Sequence, residues 1–188
     1  MNFIKQFLLH PIEVGSIIPS SKTLSKSIVN IPNFTTKKCV VELGTGNGVI
    51  TQEIIKILPA KTTFLGIEIN KKFAEETKKN CPTANIYHGS AKDLKKYLKE
   101  NDFAHCDCII SELPWGAFNN HLQDELLEAI YNSLEKNGEF ITISFLQSIL
   151  FPPSKRFHQL IEKRFEKVNK TPIIWKNFPP AFIYHCIK

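Results

Sequence analysis

Residues able to do chemistry gather in three stretches of this sequence. The first is Val40-Val41-Glu42-Leu43-Gly44-Thr45-Gly46-Asn47-Gly48-Val49-Ile50-Thr51. Glycines at 44, 46 and 48 let the chain turn tightly and bring bare backbone against a ligand. The spacing is G-x-G-x-G, not the G-x-G-x-x-G of a dinucleotide site. The second stretch is Phe64-Leu65-Gly66-Ile67-Glu68-Ile69, where an acid at the end of an apolar strand can accept both hydroxyls of a ribose. The third is Ser111-Glu112-Leu113-Pro114-Trp115. There Glu112 can attract an ammonium group and take its proton. Pro114 stiffens the loop, and its carbonyl or its neighbour's can accept a hydrogen bond from an amine. The Trp115 ring can face a cation or stack on a base. Each feature also has a plain structural account: turn glycines, a helix-end charge, a packed loop aromatic.

The elements that must hold these residues follow from hydrophobic period. Cys39 to Val41 reads as a buried strand that breaks at Gly44. A helical pattern then begins near Val49, carries Ile50, Ile54, Ile55 and Leu58, and stops at Pro59. With the strand ending at Glu68 this makes a βαβ unit suited to a nucleoside. Lys71 to Asn80 reads as an exposed charged helix. Asn85-Ile86-Tyr87-His88 is a third strand leading into Gly89-Ser90-Ala91. Lys92 to Lys99 is a basic helix with Leu94, Tyr97 and Leu98 facing in. Asp107 to Ser111 is a fourth strand. Leu122 to Leu134 is an amphipathic helix, Asn137-Gly138 a turn, Glu139 to Phe145 a fifth strand, and Lys155 to Phe165 a basic helix. Val168–Trp175 and Phe182–Ile187 read as a final hairpin-like pair joined through Lys176-Asn177-Phe178-Pro179-Pro180. Alternating strands and helices predict an α/β sheet with helices on both faces. Ligands of such sheets bind outside the carboxyl ends of the strands. That rule gathers Gly44–Gly48, Glu68–Ile69, Gly89–Ala91 and Ser111–Trp115 at one edge.

Composition narrows the class. A chain of 188 residues with 43% hydrophobic content fits one domain with a full core. No apolar run approaches bilayer length, and Met1 to Leu9 is too short and interrupted for a secretory signal. A cytoplasmic protein is expected. Five scattered cysteines show no metal-ligand spacing, and Cys106 and Cys108 are expected to pack in the core. The net charge of +6 is uneven. Residues 1–38 hold five Lys against Glu13, residues 39–150 hold eleven Lys against fifteen acids, and residues 151–188 hold eight Lys/Arg against two acids. Basic ends around an acidic centre suit a polyanionic partner, either membrane phosphate or nucleic acid.

The glycine stretch Glu42-Leu43-Gly44-Thr45-Gly46-Asn47-Gly48, with Glu68 after it, resembles motif I and the ribose-binding acid of class I S-adenosylmethionine-dependent methyltransferases. Three further stretches resemble bacterial phospholipid N-methyltransferases, so that the likeness covers nearly the whole chain. They are residues 1–21, with Phe-Ile-Lys-Gln-Phe-Leu and Gly-Ser-Ile-Ile-Pro-Ser-Ser; Ser111 to Trp115; and Trp175 to Tyr184. The resemblance implies a single Rossmann-like seven-stranded domain over residues 1–188. It implies S-adenosyl-L-methionine as cofactor, held by Glu42, Gly44, Thr45, Gly46, Gly48, Glu68, Ile69, Ser90, Ala91 and Ser111. It also implies methylation of a phospholipid amine such as phosphatidylethanolamine beside Glu112, Pro114 and Trp115, with no metal. Two positions depart from the family. Glu112 stands where glycine is common in Ser-Gly-Leu-Pro, and Ser90 stands where an acid usually holds the adenine amino group.

Residues 1–30 are expected to form an amphipathic helix and a lid-like segment. Phe3, Ile4, Phe7 and Leu8 share one helical stripe ended by Pro11, suited either to packing on the domain or to lying in a membrane interface. Ser20 or Ser21 is the expected N-cap of the next helix, through Leu24, Ile28 and Val29. The family resemblance thus predicts a peripheral protein on the inner face of an anionic membrane. Two other readings stand beside it. Ser-Glu-Leu-Pro-Trp also resembles the Asn-Leu-Pro-Tyr loop of RNA adenine N6-methyltransferases, although an ionised Glu112 offers only acceptors where the amide offers both. A cofactor-binding fold without turnover would serve as an adaptor.

Overall fold

Strand β1 (Cys39–Leu43) is apolar at four of its five positions because both of its faces are covered. Cys39, Val41 and Leu43 enter one buried cluster and Val40 enters the other. The computed structural model describes residues 20–188, and the expected helix at residues 2–9 lies outside them. The described elements run α1 (Lys22–Val29), β1, α2 (Val49–Ile57), β2 (Thr63–Glu68), α3 (Lys71–Asn80), β3 (Asn85–His88), α4 (Leu94–Glu100), β4 (Cys106–Ser111), α5 (Asn120–Ser133), β5 (Leu134–Phe145), α6 (Pro152–Arg164), β6 (Lys167–Lys170) and β7 (Ala181–Ile187). They build one seven-stranded sheet in the order β3-β2-β1-β4-β5-β7-β6. The first five strands are parallel, and β7 runs antiparallel between β5 and β6.

Helices cover both faces, as the α/β alternation predicts. On one face α1, α2 and α3 bury Leu24, Ile28, Ile50, Ile54 and Ala74 over Val40, Phe64, Ile86 and Ile110. On the other, α4, α5 and α6 bury Leu94, Leu98, Leu126, Ile130, Phe157 and Ile161 over Leu65, Ile109, Phe140 and Phe182. Each of the Leu, Ile, Val and Phe side chains contributes about 1.5–3 kcal/mol on burial. Cys106 and Cys108 are core residues. Helix starts follow local chemistry: the Ser21 side chain accepts from Leu24 N–H, Asn70 from Lys72 and Phe73, and Asn119 from Leu122.

Three boundaries differ from expectation. The register of β4 against β5 jumps between Cys106↔Leu134 and Cys108↔Glu139. Asn137, with φ 61°, forms a bulge there, so the expected turn is absorbed into β5. Helix α6 begins at Pro152 because proline suits a first helical turn. Strand β6 stops at Lys170, and only Ile174 bridges Ala181 beyond it. Proline at 172 donates no backbone hydrogen bond and ends the ladder.

Candidate active site

The strand order reverses between β1 and β4, and the crevice at that point is where such sheets bind ligands. Gly44, Gly46 and Gly48 all have left-handed φ, of 81°, 52° and 86°. A Cβ at Gly46 would meet nothing within 4 Å, so bare backbone faces open space at the centre of the loop. Glu68, at the end of β2, holds that loop in place. Its Oε2 accepts from Gly46 N–H at 2.9 Å and its Oε1 from Asn70 N–H at 2.8 Å. Each oxygen keeps a further lone pair for a ribose hydroxyl. Burial raises the Glu68 proton affinity, although these backbone donors pull the other way. Thr45 is buried, and its hydroxyl lies 3.4 Å from Thr77 Oγ1.

Glu42 and Glu112 join Glu68 in an acidic well across β1, β2 and β4. Glu42 is fully buried on β1. One carboxylate oxygen accepts from Thr51 Oγ1 at 2.6 Å, while Oε1 is buried with no partner among the described residues. Burial, then the charge of Glu112, push its pKa well above the usual range; the Thr51 hydrogen bond opposes them and Glu68 adds to the rise. Glu112 begins the loop after β4, with its N–H donated to Leu43 O at 2.9 Å. Its Oε2 accepts from Ser20 Oγ at 2.8 Å. Burial raises its pKa to about 8, against the Ser20 hydrogen bond and with the help of Glu68. Three carboxyl groups that resist ionisation together form a site for positive charge.

The other expected residues divide. Ile69 is half exposed at the end of β2, free to cover an apolar ring. The Ser90 hydroxyl accepts from Lys92 N–H, capping the turn at Ala91. Ser111 is fully buried, and its hydroxyl accepts from Leu113 N–H at 3.2 Å. The Pro114 carbonyl accepts from Ala117 N–H at 2.8 Å, inside its own turn. Trp115 corrects the sequence reading of a ring facing a cation or base. It is 4% exposed, stacks on Phe157 at 4.3 Å between centroids, and donates Nε1–H to Thr142 Oγ1 at 3.1 Å. Three aromatic neighbours, Phe118, Phe140 and Phe157, and a satisfied N–H make it a pillar under the loop, because a large ring gains most by full burial.

Several residues that support the site were not singled out from the sequence. Thr142 accepts from Trp115 and donates to Ser111 O, tying the loop to β5. Gln123 is fully buried and donates to both Trp115 O and Pro153 O. Asn177 accepts from Ser21 N–H at 3.0 Å and donates to Pro179 O, anchoring the chain just after Glu112's partner Ser20. Their polar side chains lie far apart in sequence, so only the packed fold brings them together. Among the described residues no group of His, Cys, Asp and Glu is arranged to hold a metal ion.

The well suits S-adenosylmethionine. The glycine loop gives close backbone approach, Glu68 retains acceptors for a ribose, and Glu42 Oε1, without a partner among the described residues, can take a donor from an ammonium group. Comparisons with known proteins fall in the same class. Residues 40–138 match a family model described as a methyltransferase domain. The ornithine lipid N-methyltransferase of Singulisphaera acidiphila is 29% identical over 98% of this chain and 93% of its own length. An O-methyltransferase from Bacillus cereus, solved with S-adenosylhomocysteine, superposes with a TM-score of 0.71 at 15% identity over 99% of this chain and 90% of that one. TomG of Streptomyces achromogenes, solved with S-adenosylmethionine, gives 0.70 at 15% identity over 99% and 89%.

Proposed function

The chain belongs to the methyltransferase-domain family and is an S-adenosylmethionine-dependent methyltransferase, and on that premise we propose that it methylates the amine of a membrane lipid. The observation that carries the acceptor class is the near-full-length similarity to an ornithine lipid N-methyltransferase. Phosphatidylethanolamine and ornithine lipid share a primary amine, and that amine is the chemistry proposed for the acceptor. The residues proposed to hold the cofactor are Glu42, Gly44, Thr45, Gly46, Gly48, Glu68, Ile69, Ser90, Ala91 and Ser111. Thr45, Ala91 and Ser111 act through backbone position, because their side chains are buried.

Bound S-adenosylmethionine supplies an electrophilic methyl group. The chain supplies position, exclusion of water and proton handling. The Glu42 carboxylate receives a positively charged donor at Oε1, and Glu68 receives hydroxyl donors while keeping Gly46 in place. Glu112 sits at the rim of the well, beside the acceptor. A protonated lipid ammonium has no lone pair to attack with, so its proton must leave first. Ionised once the cofactor's positive charge occupies the well, Glu112 is placed to accept that proton. Good orientation of amine and methyl group can supply up to about 7–11 kcal/mol of the barrier. Pro114 and Trp115 serve by fixing the Glu112 loop.

Residues 1–10, with the Phe3, Ile4, Phe7 and Leu8 stripe, are proposed as a membrane-surface helix on the inner face of the bilayer. Lipid extracts from cells expressing the protein and fed labelled methionine test the acceptor. Label in an amine headgroup is the expected result. Label in RNA adenine, with unlabelled lipids, would move the assignment to the nucleic-acid class.

A further inference from the structure

Five large apolar side chains stand exposed at the carboxyl end of the sheet, beside the Glu112 loop. Phe145, Leu150, Phe151, Trp175 and Phe178 are 38%, 77%, 54%, 68% and 79% exposed. Backbone pairing gathers them. Ala181 at the start of β7 pairs with Phe145 on one side and bridges Ile174 on the other. Leu146 donates its N–H to Pro180 O at 2.8 Å. The Trp175–Pro180 loop therefore folds over the end of β5, next to the 3-10 turn Leu146–Leu150. Single exposed hydrophobics are ordinary, whereas two adjoining loops that both present aromatic and aliphatic tips form a patch.

The patch is wired to the acidic well. Asn177, inside the aromatic loop, accepts from Ser21 N–H, and the neighbouring Ser20 donates to Glu112. Its charge has one sign. No Asp or Glu occurs between Phe140 and Ile161 or after Glu166. Lys176 within the loop, Lys155 on the first turns of α6 and Lys22 at the start of α1 are exposed. Aromatic tips with a lysine fringe match the boundary between headgroups and acyl chains of an anionic bilayer, where tryptophan is enriched and lysine meets phosphate. Leu150, the aliphatic tip with 77% exposure, gains from hydrocarbon and nothing from a nucleic-acid base.

We propose that Phe145, Leu150, Phe151, Trp175 and Phe178 form a folded docking face that seats the mouth of the acidic well on an anionic lipid surface. The proposal rests on the lipid-amine reading and adds a contact separate from residues 1–10. Two contacts of modest strength, one apolar and one electrostatic, hold a peripheral protein where a single contact is marginal. They also orient the Glu112 loop towards the headgroups.

The chain's two tryptophans make the test direct, because Trp115 is buried and Trp175 is exposed. The full-length protein is mixed with vesicles of phosphatidylglycerol and phosphatidylcholine whose acyl chains carry bromine, a contact quencher of indole. Trp175 fluorescence is expected to be quenched, and Trp175→Phe to remove the quenched component. Trp175→Ser with Phe178→Ser is expected to weaken vesicle binding about tenfold or more, and so is Leu150→Ser with Phe151→Ser. Both double variants should keep wild-type melting and wild-type cofactor affinity measured without vesicles. Unquenched Trp175 on bound vesicles, or unchanged vesicle affinity in both double variants, overturns the proposal. So does a patch whose loss abolishes self-association or RNA binding and leaves vesicle binding intact. Methylation of a water-soluble short-chain amino lipid separates this from the acceptor reading. Double variants active on the soluble lipid but slow on vesicles support the face. A wild-type protein that is quenched by vesicles yet methylates no amino lipid refutes the acceptor and leaves the face standing.

Discussion

Binding of S-adenosylmethionine is expected to release protons, because burial in the empty well raises the proton affinity of Glu42 and Glu112. Burial, with repulsion from neighbouring carboxylates, raises Glu42 and Glu112, Glu112 reaching about 8, while burial alone raises Glu68 against its backbone donors. At about pH 7 a group of that affinity is about nine-tenths protonated. A cation placed in the well favours the ionised forms, so binding should expel close to one proton from Glu112, with more from Glu42. Affinity should then rise with pH by up to about tenfold per unit for each proton released, and level off above Glu112's own range. The free protein carries the opposite dependence. A carboxyl raised on folding binds more protons in the native state, so stability falls as pH rises from the usual carboxylate range to about 8. The slope is at most about 1.4 kcal/mol per pH unit per group. Titration calorimetry in two buffers of different ionisation enthalpy counts the protons directly. Glu112→Gln should remove close to one of them and flatten the affinity profile. S-adenosylhomocysteine, lacking the sulfonium charge, should release fewer. Equal heats in both buffers, or an unchanged proton count in Glu112→Gln, would refute the acidic well as the cation site.

Other outcomes follow from the same contacts. Glu68→Gln loses the charge that holds Gly46 and Asn70; at about 1.5–3 kcal/mol for a hydrogen bond to a charged group, cofactor affinity should fall roughly ten- to a hundredfold by calorimetry. Trp115→Phe breaks the hydrogen bond to Thr142 within the core and should cost about 1–3 kcal/mol in urea unfolding, with acceptor KM unchanged; a changed KM with full stability would restore the ring to the acceptor site. At the opposite end of the sheet burial works to raise Glu139, but hydrogen bonds from His185 and Lys37 hold it below its usual value. Its contribution is present above the ordinary carboxylate range and is lost as pH falls through the depressed value. Lys37→Met leaves His185 in place, so it should cost about 1–3 kcal/mol at neutral pH and flatten the acid limb of a thermal-melting profile.

The cofactor side of this site was more legible in sequence than the acceptor side, for a physical reason. Gly44 to Gly48 and Glu68 act through a local loop and a strand end, and both are written in short contiguous patterns. The apolar runs of β1, β2 and β4 likewise announce strands covered on both faces. Trp115 misled because a tryptophan in a ligand-edge loop reads alike whether its ring faces outwards or inwards; only Phe157, Phe140 and Thr142, brought from later in the chain, decide between them. Glu112 was legible as a departure from a family pattern, but its proton affinity depends on burial by the packed fold, then on Ser20 and Glu68, distant in sequence. Asn137-Gly138 read as a turn because bulge and turn ask for the same left-handed residue. The exposed Trp175–Phe178 loop was legible only as a connection, since exposure is a property of the finished fold.

The central claim is methyl transfer from S-adenosylmethionine to a membrane-lipid amine. Its most direct test is purified full-length protein incubated with methyl-labelled S-adenosylmethionine and vesicles containing phosphatidylethanolamine and ornithine lipid, in the presence of competing RNA. Mass spectrometry then reads where the label resides. The account predicts labelled methyl on a lipid amine, slowed in Glu112→Gln and absent from RNA. Cofactor binding with label on adenine, or with no labelled lipid at all, would contradict it.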